Sequence, residues 1–442
     1  MTAFLSLIPS LRLIRLIALG APLWLIAFLF PGGWLVGLLY LILLAALCWR
    51  DAMTIARPAQ LVARRELPSR FALGVDHSIK LLLRNQTPLP IFAVARDEIP
   101  ESFEALDELP PVHIPPHGEA QLSYTVRPLQ RGAYAFGAVI VRVHGERGLM
   151  QRQMALSVAD TVKVYPNFRG ADQYQLLAKI DQREEVARKP RPFKAAGTDF
   201  ESLRPYIAGE DPRNIDWKAT ARRGALISRN RQVEKGQQLA VLLDAGRLMA
   251  ETIGEHPRLE HALNATVMLG YVAQKRGDAL AVAAFSNKLE SFLPPVRGPA
   301  LLGRILESLY AVQARPVESD YWQVIAQLMA MLRRRSLVIL LTDVLDATAS
   351  AGLIHNLARA AERHVVLCVV LTEPLIGAIA RSAPTTVEET YRKAAACDLL
   401  RRRSLALENM RSRGILVLET DPAHLSVHLV QRYLEIRQAD LQ

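Results

Sequence analysis

The sequence predicts a multidomain protein of β and α/β class: a transmembrane helical hairpin, then an immunoglobulin-like β-sandwich, then a doubly wound, mostly parallel sheet. Three observations carry this. The chain has 442 residues, is 50% hydrophobic and has a mean hydropathy of +0.12, and its apolar excess sits almost entirely before Arg50. From about Met53 to Val164, short alternating runs are separated by Pro, Gly and Asn clusters. From Gln238 onward, apolar strands alternate with helical stretches. Single cores stop growing near ~250 residues, so several domains are expected. The boundaries fall at 1–50 for the hairpin, 53–166 for the sandwich, 167–237 for a linker helix and a motif, and 238–442 for the last domain.

Leu13 to Phe30 is apolar except for Arg15, and Trp34 to Trp49 carries no charge. Each spans roughly 24 to 27 Å as a helix at about 1.5 Å per residue. Pro31-Gly32-Gly33 between them breaks the helix and lets the chain reverse. Arg12 and Arg15 precede the hairpin, and Arg50, Arg57, Arg64 and Arg65 follow it, so the positive-inside rule puts both termini and the soluble domains on the cytoplasmic side. A cleaved signal peptide is the rival, but no small-x-small site follows Phe30 and a second apolar run comes at once. A buried soluble hairpin is the other; nearly unbroken apolarity on every face favours lipid.

Cys48, Cys368 and Cys397 are too far apart for a zinc knuckle or a CxxC pair and fit a reducing cytosol. A net charge of +11 and a pI near 9.7 suit an anionic surface, and for an anchored chain the nearest is the lipid bilayer. The arginines are dispersed apart from Arg333–Arg335 and Arg401–Arg403, and no nucleic-acid motif accompanies them, so nucleic acid is not an expected partner.

Runs such as IKLLLRN, AQLSYTVRP, YAFGAVIVRVHG and DTVKVYPN read as antiparallel strands, six to eight in a region of this size. Within it, RGAYAFG from Arg131 to Gly137 lacks the glycine spacing and helix start of a phosphate loop; a turn with inward aromatics is expected. Residues 171–189 carry Leu176, Leu177 and Ile180 on one side, a short amphipathic helix. In the last domain, Asp244 and Asp343 fall at strand carboxyl ends, where ligands of such sheets gather.

The densest chemistry lies from Gly197 to Arg222, GTDFESLRPYIAGEDPRNIDWKATAR. As a binding surface, Arg204, Arg213 and Arg222 present cationic forks, and Phe200, Tyr206 and Trp217 supply aromatic contact. As an internal clasp between domains, Asp211 and Asp216 pair with those arginines and Trp217 is buried. The balance of charges favours the clasp, with part of it left for a partner. Asp211 and Asp216, next to Glu210, form a carboxylate pair of the kind acid–base catalysis uses, but such pairs are common in turns. His113, His117, His256 and His261 show no ligand-like grouping, and Ser228 and Ser286 lack a nucleophile elbow. No phosphate-binding loop is present, so the chain is not expected to hydrolyse ATP.

The motif residues Phe200, Leu203, Arg204, Tyr206, Gly209, Asp211, Arg213, Ile215, Asp216, Trp217, Ala221 and Arg222 resemble the signature of the bacterial domain-of-unknown-function 58 family. Tyr165 to Asn167 and the preceding RG-x-Y-x-FG turn extend the resemblance over almost the whole chain. It implies a membrane-anchored protein with a von Willebrand factor A-like domain, and a MoxR-type AAA+ ATPase as companion in assembling or activating other proteins. It also implies a place for a divalent cation, such as Mg²⁺, held by a D-x-S-x-S strand end, a threonine and a second aspartate. This chain keeps Asp244 and Asp343, but Gly246 and Leu248 stand where the serines belong and Val296 to Ala300 offers no threonine. The expectation is a non-enzymatic adaptor without a resident cofactor; the alternatives are a metal-dependent ligand-binding protein and an unrecognised hydrolase.

Overall fold

The computed structural model describes residues 7–27, 34–167, 199–206, 215–232, 237–254, 256–332, 334–344 and 350–439. The contacts divide the chain into two units, Met1–Asn167 and Phe168–Gln442. The architecture is mixed α/β with several separate sheets.

The first unit begins with β1 (Leu7–Pro9), α1 (Leu11–Ala27) and α2 (Trp34–Thr54). The two helices pack on each other, and the Tyr40 hydroxyl donates to the Leu16 carbonyl at 2.6 Å. The α2 helix has 21 residues, about 31 Å at ~1.5 Å per residue, and is the one helix among the described residues long and apolar enough to cross a membrane. Its exposed positions include Trp34, Leu39, Ile42, Leu43 and Trp49. It runs past the expected end at Trp49 because Asp51 has work to do beyond it. The buried Asp51 carboxylate accepts from the amides of Arg147 at 2.7 Å and of Leu149 and Met150 at 2.8 Å. Gly145 makes room for it, since a side chain there would overlap that carboxylate. The expected turn at Pro31 to Gly33 lies outside the described residues.

The strands that follow are β2 (Leu61–Glu66), β3 (Phe71–Ala72), β4 (His77–Asn85), β5 (Ile91–Asp97), β6 (Phe103–Ala105), β7 (Val112–Ile114), β8 (Glu119–Pro128), β9 (Gly132–Phe136), β10 (Val139–His144), β11 (Met150–Leu156) and β12 (Asp160–Tyr165). They exceed the six to eight expected because β3, β6 and β7 are edge pieces too short to leave an alternating pattern. They form sheets ordered β1-β11-β10-β5-β7, β2-β4-β8-β6 and β3-β12-β9. Period-two alternation puts Leu81 and Leu83 against Ile91, Ala93, Val141 and Val143 of the five-stranded sheet, while Ile79 on the same strand meets Phe71, Phe136 and Val164 of the three-stranded one. Tyr134 and Phe136 sit on β9, so RGAYAFG is mostly strand, with Phe136 buried and the Tyr134 ring edge-on to Phe103. Arg65 stitches the sheets together: its buried guanidinium donates to Asp97 and, at 2.9 Å, to Asp160, lies over the Phe136 ring, and bonds the Gly137 carbonyl.

The second unit holds β13 (Asp199–Pro205), α3 (Trp217–Arg223), β14 (Ile227–Gln232), β15 (Gln238–Asp244), a two-residue pair β16 (Thr252–Ile253) and β17 (His256–Pro257), and α4 (Arg258–Arg276). Then come β18 (Ala279–Phe285), β19 (Leu289–Val296), α5 (Leu301–Leu309), α6 (Tyr321–Met331), β20 (Leu337–Thr342), α7 (Ala351–Ala361), β21 (Val365–Leu371), α8 (Pro374–Arg381), α9 (Val387–Ser412), β22 (Leu416–Thr420) and α10 (Leu425–Ala439). The helix expected at 171–189 lies outside the described residues.

The central sheet is ordered β19-β18-β15-β20-β21-β22, parallel except for β19. Its strands are apolar on both faces, as a sheet covered by helices on each side requires. The chain order reverses between β15 and β20, which makes their carboxyl ends the topological switch point. β19 was not expected, because Pro294 and Pro295 argue against a strand; as an edge strand it tolerates them. The α10 helix is tied down by Asp278, which accepts from the Tyr433 hydroxyl and, at 3.0 Å, from Arg437 Nε.

Candidate functional site

At the switch point, Asp244 ends β15 and Thr342-Asp343 ends β20, as expected from the sequence. Around them lies a crevice of about 620 Å³ lined by Arg247, Leu248, Glu318, Tyr321, Trp322 and Asn356 among others. Asp244 is buried and its carboxylate is saturated. One oxygen accepts from the Ser319 hydroxyl and from the Gly246 amide at 2.8 Å; the other accepts from the Tyr321 hydroxyl at 2.7 Å and Thr342 Oγ1 at 2.6 Å. Burial and the Asp244 charge push the Tyr321 phenol well above its ordinary range, so it stays a donor.

Glycine at 246 is what admits Ser319. A side chain at Gly246 would overlap Ser319 Oγ, so the position that lacks its expected serine receives a hydroxyl from another loop. That hydroxyl comes from beside Asp320, which caps α6 by accepting from the Gln323 amide at 3.1 Å, and not from Val296 to Ala300. The run Ser319-Asp320-Tyr321-Trp322 carries an N-cap signal that sequence reasoning passed over.

Asp343 is held differently. Its carboxylate pairs with Arg258 at the start of α4 and, at 3.2 Å, with Arg403 of α9, and it accepts from the Val344 amide at 2.8 Å. Arg258 also reaches Glu251 and Glu373, each at 3.2 Å, and Arg403 donates to the Leu371 carbonyl. Burial pulls both guanidinium pKa values down, and the neighbouring carboxylates oppose it. Neither arginine was singled out from sequence, because each meets Asp343 only through the fold.

This donor set does not fit a divalent cation. Mg²⁺ needs a near-octahedral oxygen shell, whereas both Asp244 oxygens are already occupied by donors and Asp343 lies between two fixed positive charges. Among the described residues there is no cluster of three or more His, Cys, Asp or Glu able to hold a metal.

The signature motif forms a separate substructure. β13 and β14 pair as an antiparallel ribbon with α3 packed in its connection. Asp216 caps α3, accepting from the Lys218 and Ala219 amides at 3.0 Å, and Gly224 ends it in the left-handed conformation at φ 67°. Tyr206 is half-buried, and its amide donates to the Leu226 carbonyl at 2.8 Å. Trp217 is 67% exposed and Arg222 is exposed in the last turn of α3, where a cation suits the helix dipole. Phe200 and Arg204 lie on β13; their side chains, with Asp211 and Arg213, are outside the described residues. His256, which precedes α4, and His261 on it lie edge to face, with ring centroids 6.3 Å apart. Ser286 donates to Glu290 at 2.9 Å in a buried turn.

Residues 202–391, from the motif through the crevice and into α9, match the family described as "Protein of unknown function DUF58". The match is consistent with a DUF58 family member. The chain is similar to the "Uncharacterized protein YeaD" of Bacillus subtilis (strain 168), 24% identical over 223 residues, which cover 49% of this chain and 56% of that protein. The chain thus spans about half the length of the curated relative it matches. Among solved structures, the cupredoxin domain of amoB from Nitrosocaldus yellowstonii is 13% identical over 20% of this chain and 55% of that one, with a TM-score of 0.16. The Escherichia coli alpha-2-macroglobulin activated by porcine elastase is 17% identical over 24% and 9%, with a TM-score of 0.19. Scores this low carry no weight for the fold.

Proposed function

We propose that this protein is a DUF58 family member acting as a non-enzymatic, membrane-anchored adaptor that binds a protein partner through its second unit. In this reading α2, with α1 beside it as a second pass, anchors the chain in the bacterial inner membrane, and the arginines at the helix ends keep both termini and both units in the cytoplasm. The first unit is an immunoglobulin-like sandwich, and the second is a von Willebrand A-like domain whose strand order supports that assignment. The partner suggested by family resemblance is a MoxR-type AAA+ ATPase, acting with the chain in assembly of envelope or membrane protein complexes.

One observation carries the reading. Two indoles stand exposed, Trp217 at 67% in the motif and Trp322 at 56% on the crevice rim, where the Arg359 guanidinium lies over its ring at 5.3 Å. Exposed tryptophan flanked by arginine is the composition of interface hot spots. The exposure of Trp217 also favours a binding surface over a buried clasp. The crevice acids support binding over catalysis, because Asp244 and Asp343 are each tied to fixed donors or cations and neither is poised to shuttle a proton.

The test is affinity of the purified full chain in detergent for a purified MoxR-type ATPase, with Trp217→Ala and Trp322→Ala compared at matched thermal stability. A loss of at least about 10-fold for either variant, with an unchanged unfolding midpoint, is the expected result, since hot-spot truncations cost about 2 kcal/mol or more. No binding by the parent chain, or binding by both variants as tight as the parent's, overturns the proposal.

A further inference from the structure

We infer that the outward face of the five-stranded sheet, where α1 leaves it, binds the phosphate-bearing headgroup of an anionic phospholipid. The inference rests on the reading that α2 lies in a bilayer. The groove measures about 970 Å³ and lies wholly within the first unit, lined by Arg12, Phe92, Arg96, Arg142, His144 and Glu146 among others.

Strand register builds the basic surface. Phe92 pairs with His144, Val94 with Arg142 and Arg96 with Ile140, so Arg96, Arg142 and His144 share the face turned away from the core. β1 pairs with β11 and delivers the chain directly to α1 at the groove's rim. Ser10 fixes that exit: its hydroxyl donates to the Gly148 carbonyl at 2.6 Å and accepts from the Leu13 amide at 3.3 Å. The Arg12 guanidinium then packs on the bare α-carbon of Gly148, 3.1 Å from where a Cβ would lie.

Charge and chemistry name the ligand. Arg12 and Arg96 make no ion pair among the described residues, and Arg142 donates to the neutral Gln153 at 2.8 Å. Glu146 is the one carboxylate lining the groove, against three exposed guanidiniums. Three exposed guanidiniums lining one groove against a single carboxylate suit phosphate oxygens. His144 feels the same field: burial first, then Arg142 and Arg12, hold its pKa below the ordinary value. The apolar half of a lipid has its place too. Leu11 lines the groove at 72% exposure and continues into Ile14 and Ile17 on α1, each 52% exposed, a path for acyl chains that free phosphate would not need.

The experiment titrates the full chain in zwitterionic detergent with dioctanoyl-phosphatidylglycerol, dioctanoyl-phosphatidylcholine and inorganic phosphate by calorimetry. Saturable binding of the phosphatidylglycerol, at least about 10-fold tighter than either of the others, is expected. The double variant Arg96→Gln, Arg142→Gln should weaken it at least 10-fold, and Arg401→Gln, Arg402→Gln, with the same loss of charge on α9, should leave it unchanged. Binding of phosphate as tight as lipid would make the groove a free-anion site, equal affinity for the two lipids would make it merely apolar, and equal weakening by both double variants would make it diffuse electrostatics; each result overturns the inference. Carbonate extraction of native membranes separates the two readings. Release of the parent chain sinks the anchor, whereas retention in the pellet without saturable lipid binding sinks the headgroup site alone.

Discussion

Asp51 is the residue through which the end of α2 grips the β10–β11 turn, and its removal is predicted to release that turn. Three backbone amides, those of Arg147, Leu149 and Met150, donate to one buried carboxylate at 2.7 to 2.8 Å. A hydrogen bond to a charged group is worth about 1.5–3 kcal/mol, and an orphaned buried donor costs about 1–3 kcal/mol. The three share one acceptor and are not additive, so Asp51→Ala is expected to lower local stability by about 3 kcal/mol. At about 1.4 kcal/mol per decade, amide exchange in a peptide spanning Gly145 to Gln151 should accelerate roughly 100-fold in the full chain. Asp51→Asn should recover little, because its amide nitrogen would face one set of donors with donors of its own. Exchange in that peptide unchanged within about 3-fold in Asp51→Ala would refute the reasoning, since the amides would then be protected by something other than the carboxylate.

Three further outcomes follow from buried groups. Arg65→Met removes the partner of the buried Asp97 carboxylate and should destabilise the first unit's sheets by about 3–5 kcal/mol, read as a shifted denaturant midpoint of that unit's transition; a shift under about 1 kcal/mol would show that the network is dispensable. Burial holds the His261 pKa below its ordinary 6.5, with His256 adding to the effect. The unfolded chain therefore takes up a proton first as pH falls through 6.5, and stability contributed by neutral His261 is lost below that pH; His261→Gln should flatten the midpoint-versus-pH curve between about 6.5 and 5, and an unchanged slope counts against this. Burial pushes the Cys368 thiol up to about 12, so maleimide should label exposed Cys397 in the native protein and Cys368 only after unfolding, as peptide mass spectrometry would show.

The parallel sheet was legible because β15, β18, β20 and β21 are buried on both faces, and unbroken apolar runs as short as LAVLL and LVILL suit strands covered on both sides. The strand-end positions of Asp244 and Asp343 followed from the same runs. β19 was hidden by its two prolines, and the short strands β3, β6 and β7 by their length. The site's partners were illegible for a different reason. Ser319 meets Asp244 across 75 positions and Thr342 meets it across 98, and no local pattern announces a pairing that only the crossover connections create. Gly246 shows the limit of motif comparison: seen alone it is a lost ligand, but in the fold it is the opening through which Ser319 reaches Asp244.

The two carboxylates at the switch point are neutralised by different means, and the difference bears on what the crevice can do. Asp244 is satisfied by hydroxyl and amide dipoles, which stabilise its charge without cancelling it. Asp343 is met by two guanidiniums fixed on α4 and α9, groups that stay protonated and cannot diffuse away. A metal ion would make the local charge depend on metal concentration, whereas tethered arginines make it a property of the fold. Arg258 and Arg403 reach Asp343 from helices far apart in sequence, so the same ion pairs that set the charge also hold α4 and α9 to the end of β20. Replacing either arginine would leave a buried carboxylate short of a partner and loosen a helix at once, which couples the electrostatics of this face to the integrity of the sheet beneath it.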